Sequence, residues 1–210
     1  MLNKQSEFWK GEFGREYTHR NTFDPSAWDQ TYLNTWGITK PEMNKQFIGE
    51  LPKNIKILEV GSNIGLQLSG LQRMGFENLY GIELQQDAVE IAKQHTKNIN
   101  ILQGSGYDIP FKDSYFDLVF TSGVLIHIAP ENHKLIMSEM VRCSKKYIWG
   151  FEYYDEKTSA IDYRGNKDFL WKADFAGIFQ SLFPQLKLMK KEFYKYLHND
   201  NKDCMYLLEK

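Results

Sequence analysis

The sequence predicts an α/β protein: a mostly parallel sheet flanked by helices, preceded by a helical segment and closed by two antiparallel strands. Three observations carry this. Strand-like and helix-like runs alternate from residue 55 to residue 152, the pattern of parallel strands with crossover helices. The first fifty residues hold three of the five tryptophans (Trp9, Trp28, Trp36) and little β-branched density. Two late strand-like runs, 186–196 and 204–208, are joined by a polar turn and read as a hairpin. No linker, repeat or low-complexity stretch divides the 210 residues, so one domain is expected, with 1–50 a helical lid and 51–210 the core.

Each element has a local reason. Ser6 precedes Phe8, Trp9, Phe13 and Tyr17, whose spacing predicts one helix across Gly11 and Gly14. Asp24 before Pro25 predicts a capped helix start, and Thr39 caps a third helix over 41–50. IKILEV (55–60) is a strand, 61–65 a glycine-bearing turn, and 66–74 a helix ended by Gly75. LYGIE (79–83) is the second strand, Asp87 caps a helix to about 97, and 99–103 is the third strand. FDLVFT (116–121) is a buried strand. A helix over 132–143 aligns Leu135, Ile136, Met140 and Cys143 on one face. KYIWGFE (146–152) is the fifth strand, and a helix over 168–183 stops at Pro184.

Composition excludes several classes. There are 26 Lys and Arg against 27 Asp and Glu, so the net charge of −1 offers nothing to a nucleic acid or an anionic membrane. No apolar run approaches the ~20 residues of a membrane span, and MLNKQSEFWKGEFG lacks a secretory signal pattern. Two cysteines, Cys143 and Cys204, make neither a disulfide framework nor a four-ligand metal set, so no metal and a cytoplasmic setting are expected. Aromatics at 15% suit aromatic packing or a ligand pocket equally.

The informative stretch is ILEVGSNIGLQL. A strand runs through Glu59 into Gly61-Ser62-Asn63-Ile64-Gly65, and a helix follows. A ligand there meets backbone N–H groups at a helix N-terminus. Gly61 and Gly65 permit a sharp turn and close approach. Asn63 stands where a second turn glycine often sits, and Asn tolerates left-handed angles. The next strand ends at Glu83, placed for both hydroxyls of a ribose. The dinucleotide spacing G-x-G-x-x-G is absent, and Glu59 would repel a pyrophosphate but attract a cationic amino group. The plain alternative is a structural turn with an incidental acid at a strand end.

These residues resemble the class I S-adenosylmethionine-dependent methyltransferases over about 50–152. EVGSNIG is similar to their first motif, YGIE to their ribose-binding acid, and GSGYDIPF with DSYFDLVF to the block that passes the adenine and forms the fourth strand. The resemblance implies a Rossmann-like fold with a seven-stranded sheet whose last strand is antiparallel, and S-adenosylmethionine as cofactor. It implies a cofactor site of Glu59, Gly61, Ser62, Asn63, Gly65, Glu83, Leu84, Gly104, Ser105, Gly106, Tyr107, Thr121 and Ser122. Ser105 departs from the Asp usual at its position, and Asn63 from the usual glycine. FWKGEFGREYTHRN (8–21), VLIHI (124–128), EYY (152–154), YRG (163–165) and DFAG (174–177) further resemble the pseudaminic acid biosynthesis-associated methyltransferases. That resemblance implies a bacterial enzyme acting on a sugar hydroxyl or amine in nonulosonic-acid or surface-glycan synthesis.

A hydroxyl acceptor needs a base. His127, just past the fourth strand, is the first candidate, and a packing histidine is the alternative. Glu152 is the second, against a solvated strand-end carboxylate. Tyr153, Tyr154 and Tyr163 are candidate substrate contacts, and Arg164 suits the carboxylate or phosphate of an acidic sugar or sugar nucleotide, against a surface ion pair. Phe13, Tyr17, Arg20 and Asn21 would cover the cofactor, with Tyr17 and Asn21 touching it, while Phe8 and Trp9 are expected in the core. His19, His95, His133 and His198 are expected at the surface. The competing function is a non-catalytic S-adenosylmethionine-binding sensor or partner-binding module.

Overall fold

The computed structural model describes residues 3–20 and 24–210. Four helices come first: α1 (Lys4–Lys10), α2 (Glu12–Arg20), α3 (Pro25–Trp36) and α4 (Lys40–Ile48). The alternating part runs β1 (Lys56–Val60), α5 (Leu66–Arg73), β2 (Asn78–Glu83), α6 (Gln86–His95), β3 (Ile99–Gln103) and β4 (Phe116–Ser122). Two 3₁₀ turns, Leu125–His127 and Pro130–Asn132, lead into α7 (His133–Cys143) and β5 (Ser144–Tyr153). A small pair, β6 (Ser159–Ala160) and β7 (Trp171–Lys172), precedes α8 (Phe175–Leu182) and the hairpin β8 (Lys187–Lys195) and β9 (Lys202–Glu209).

The seven-stranded sheet has the order β3-β2-β1-β4-β5-β9-β8. Its first five strands are parallel, and β9 runs antiparallel to both β5 and β8. This is the expected fold class, antiparallel last strand included. Strand order reverses between β1 and β4, and open α/β sheets hold ligands at the strand carboxyl ends there. One face buries Leu58, Val60, Val119 and Ile148 under α7 and α8. The other buries Ile57, Phe120, Trp149 and Phe151 under α4 and α5. Among the described residues no helix is long and apolar enough to cross a membrane.

Four local expectations need correction. The single N-terminal helix is two, parted at Gly11, whose backbone is extended. Gly14 makes that corner possible, because a Cβ there would lie 1.8 Å from the Trp9 carbonyl oxygen. The helix over 168–183 is only α8, capped by Asp174, whose carboxylate accepts from the Gly177 N–H. Phe169, Leu170, Trp171 and Ala173 before it are buried but not helical, so burial of a continuous apolar run imitated helical periodicity. On α7, Leu135 is 58% exposed while Ile136, Met137, Met140 and Val141 face the core. Asp87 stands in the first turn of α6 and Gln85 at its cap. The two remaining caps form as expected, Asp24 accepting from Ser26 and Ala27, and Thr39 forming a reciprocal box with Glu42.

Candidate active site

A cavity of about 300 Å³ opens at the carboxyl ends of β1, β2 and β4, beneath the N-terminal helices. Its floor is the glycine turn. Gly61 (φ +76°), Asn63 (φ +45°) and Gly65 (φ +81°) all take left-handed angles, so Asn63 sustains the turn without a glycine. A Cβ on Gly61 would lie 2.7 Å from a Val124 methyl carbon. Glu83 fastens the turn from β2: its two oxygens accept from the backbone N–H groups of Asn63 (2.8 Å) and Gln85 (2.9 Å). Burial pushes the Glu83 carboxyl up, and these hydrogen bonds pull it back.

Two helices and a side chain make the roof. Gln5, Ser6, Trp9, Gly14, Tyr17 and Thr18 line it. The Gln85 side-chain amide donates to the carbonyls of Trp9 and Gly11, catching the groups freed where α1 and α2 part. The Thr18 hydroxyl donates to the Asn63 side chain at 3.3 Å, and the Gln5 amide to the Asp168 carbonyl at 3.3 Å. The Thr18–Asn63 contact ties roof to floor, and Gln5 ties the roof to the segment before β7.

The structure places Glu59, Gly61, Ser62, Asn63, Glu83, Leu84, Gly104, Ser105, Gly106, Tyr107, Ser122, Tyr17 and His127 along the cavity. Gly65, the cap of α5, lies just behind the floor. Asn21 lies outside the described residues. Thr121 does not reach the cavity; it is wholly buried and its strand position points it to the opposite face of β4 from Ser122. Phe13 and Arg20 do not line it either: Phe13 stacks on Phe8, and Arg20 is exposed over the Phe13 ring.

His127 sits at the far end. Its Nδ1 lies 2.8 Å from the Phe169 carbonyl oxygen, so Nδ1 carries the proton and Nε2 is the lone-pair nitrogen. Burial pushes its pKa down to about 4, so it is neutral across the physiological range. Trp9 and Tyr163 flank the imidazole, with ring centres 4.6 and 4.9 Å away. Trp9 was expected as core; its indole N–H has no hydrogen-bond partner among the described residues and it lines the cavity.

Glu152 is displaced from both sequence readings. It is 1% exposed, away from solvent and cavity, and accepts from the N–H groups of Val124 (3.2 Å) and Ile126 (3.4 Å). It holds the turn that carries His127, and burial pushes its pKa up to about 7. Tyr153, at the end of β5, stacks on Tyr196, and Tyr154 packs edge-on against Phe193, so both turn toward the β8 side of the sheet and neither lines the cavity. Arg164 stands exposed on the 163–166 turn, beside Tyr163. His133 is buried, its Nε2 3.0 Å from the Ile128 carbonyl oxygen, and is no surface residue.

Sequence reasoning missed Gln85, Trp28, Tyr32 and Gln67, which also line the cavity. It also passed over Lys40, which is 0% exposed behind the Tyr32 and Ser122 wall. One signal was present: Lys40 opens α4, and a cation at a helix N-terminus opposes the dipole.

The cavity fits S-adenosylmethionine on its own polar groups. Glu59 Oε2, Ser62 Oγ and the Gln67 amide are buried without hydrogen-bond partners among the described residues, beside the Glu83 carboxylate. Buried polar groups of this kind ordinarily find partners.

Residues 58–147 match the model of the family described as "Methyltransferase domain". No curated protein matches the chain. Among solved structures, the magnesium protoporphyrin IX methyltransferase of Synechocystis PCC 6803, solved with bound S-adenosylmethionine, is similar at 11% identity and TM-score 0.68, covering 100% of this chain and 98% of that one. The PH0226 protein of Pyrococcus horikoshii OT3 is similar at 16% identity and TM-score 0.67, covering 92% and 98%. An S-adenosylmethionine-dependent methyltransferase of Aquifex aeolicus is similar at 19% identity and TM-score 0.58, covering 89% and 99%. At these identities the three show a shared fold, while the family match supplies the activity. Residues 58–147 carry the match to a methyltransferase domain, and the protein is an S-adenosylmethionine-dependent methyltransferase with S-adenosylmethionine as its cofactor.

Proposed function

We propose that the methyl acceptor is a hydroxyl or amine of a small sugar, of the nonulosonic-acid or surface-glycan type, and that His127 takes the acceptor's proton. The carrying observation is His127 itself: a neutral imidazole on the cavity wall, its Nδ1–H fixed on the Phe169 carbonyl and its Nε2 left as an acceptor. S-adenosylmethionine, when bound, supplies an electrophilic methyl group on its sulfonium. Glu59 and the 61–65 turn hold its amino-acid end, Glu83 its ribose, and Gly104, Ser105, Gly106 and Tyr107 its adenine. The roof of α1 and α2 keeps water out, so alignment of acceptor and methyl does much of the work.

The rings of Trp9 and Tyr163 beside His127 suit the apolar face of a sugar. Among the described residues neither Lys nor Arg lines the cavity, whereas Glu59 and Glu83 do. The part of the acceptor that enters is therefore uncharged. The carboxylate or phosphate of an acidic sugar stays outside the cavity, toward Arg164, which is exposed next to Tyr163. The resemblance of EYY, YRG and DFAG to the pseudaminic acid-associated enzymes supports the same substrate class.

The test is incubation with S-adenosylmethionine and a panel of free and CMP-activated nonulosonic acids and UDP-sugar precursors, read by mass spectrometry. One added methyl with S-adenosylhomocysteine is the expected result, and fragmentation locates it on O or N. Turnover of aromatic or lipid acceptors with none of the sugars overturns the reading.

A further inference from the structure

The mechanism leaves one buried cation unused. Lys40 is 0% exposed, on the first turn of α4, with Nζ 3.5 Å from the Ser122 hydroxyl oxygen and 3.4 Å from the centre of the Phe151 ring. The sheet register shows what it overlooks. Glu59 pairs with Phe120, Ser122 with Phe151, and Tyr153 with Asp203, so the side chains of Glu59, Ser122, Phe151 and Asp203 share one face at the carboxyl edge. The amine of Lys40 lies over that row, between two buried carboxylates.

The two carboxylates differ. Asp203 already accepts from the Trp36 indole N–H at 2.9 Å and is bonded by Tyr196. Glu59 is 3% exposed, lines the cavity, and its Oε2 has no partner among the described residues. We infer that Lys40 is a positioning residue for the cofactor: its ammonium keeps the buried Glu59 ionised, so that a carboxylate rather than a neutral acid meets the cofactor's amino group. This rests on the assignment of Glu59 to the amino-acid end made above.

The electrostatics agree. Burial drives the Glu59 carboxyl well above its usual range, Lys40 opposes that, and Glu83 on β2 adds to it. Lys40 feels burial, which lowers it to about 7, and the carboxylates of Asp203, Glu59 and, across the sheet, Glu152, which raise it. Tyr32 on α3 also faces the amine, 5.4 Å from ring centre to Nζ. Asp203 in turn feels Lys172. Without the amine, Glu59 takes up a proton that cofactor binding must expel.

The experiment is calorimetric binding from pH 6.5 to 8.5 on wild type, Lys40→Met, Lys40→Arg and Glu59→Gln. The ligands are S-adenosylmethionine and 5′-methylthioadenosine, which lacks the amino-acid end. Wild type and Lys40→Arg should hold S-adenosylmethionine equally tightly at pH 6.5, where both cations are charged. Lys40→Met should lose affinity most at pH 6.5 and regain it by up to about tenfold per pH unit. Methylthioadenosine should bind all four alike. A Lys40→Met profile parallel to wild type overturns the inference, and so does an equal loss for methylthioadenosine, which marks a structural role. If Glu59→Gln binds S-adenosylmethionine as tightly as wild type, the assignment of Glu59 fails first and carries this inference with it. Should Lys40→Met not fold, infrared difference spectra of wild type minus Glu59→Gln at pH 7 decide. An ionised-carboxylate band is expected, and a protonated-carboxyl band refutes.

Discussion

Replacing Glu152 with Gln separates a positioning carboxylate from a catalytic one. Glu152 is 1% exposed, accepts from Val124 and Ile126, and has its pKa raised from 4.5 to about 7 by burial. A native pKa above the unfolded one means the folded protein binds the proton more tightly. That contribution is complete below about pH 4.5 and is lost as pH rises through about 7. The rise corresponds to about 3 kcal/mol. Gln cannot titrate, so the stability of wild type minus that of the variant should fall by about 3 kcal/mol between pH 4.5 and 8.5, measured by urea unfolding. Subtraction removes the contributions of Glu59 and Asp203. The variant should also lose part of the hydrogen bonding to the turn, about 1 kcal/mol at every pH. Its turnover should drop about tenfold through misplacement of His127, short of the ~10²–10⁴-fold expected for a lost base. A flat stability difference, or a loss in the base range, would refute the assignment of Glu152 as a buried support.

Other changes test the rest of the site. His127→Ala should lower turnover by ~10²–10⁴-fold with the affinity for S-adenosylmethionine unchanged in calorimetry, and wild-type rates above pH 6 should show no titration of this imidazole, whose pKa is down at about 4. Gly14→Ala puts a methyl against the Trp9 carbonyl and should loosen the roof, seen as faster proteolysis within 3–20 and weaker cofactor binding at little cost to the melting of the core. Arg164→Ala should raise KM for an acidic sugar acceptor while leaving kcat and cofactor affinity alone; an unchanged KM would remove Arg164 from acceptor binding.

Much of the architecture was legible because each strand, turn and helix between 55 and 152 carries its own signal. The glycine turn was readable down to Asn63, since few residues other than glycine accept its left-handed angles. The N-terminal corner was not: Gly14 reads as a weakness in a helix until the Trp9 carbonyl is known to press on it. The 168–183 stretch failed because the buried apolar residues before α8 imitate helical periodicity. The site was legible where backbone geometry makes it, and obscure where distant segments meet. Nothing local says that Gln85 will hold two carbonyls of the first helices, or that Phe169 will fix the tautomer of His127. Glu152 looked available because a sequence shows a strand end and not the turn folded over it.

The inner position of β9 sets the order in which the protein can be made. Lys202–Glu209 is inserted between β5 and β8. Until those residues leave the ribosome, β5 has a bare edge, with the backbone of Trp149 and Phe151 open to any other strand. The same residues deliver Asp203 to the Trp36 indole, a bond spanning 167 positions. The glycine turn, Glu83 and His127 are all synthesised earlier, yet the sheet that aligns them closes last. A nascent chain thus carries the described lining of the cavity before it has a stable platform for it, and the interval is governed by the slow pairing of distant strands.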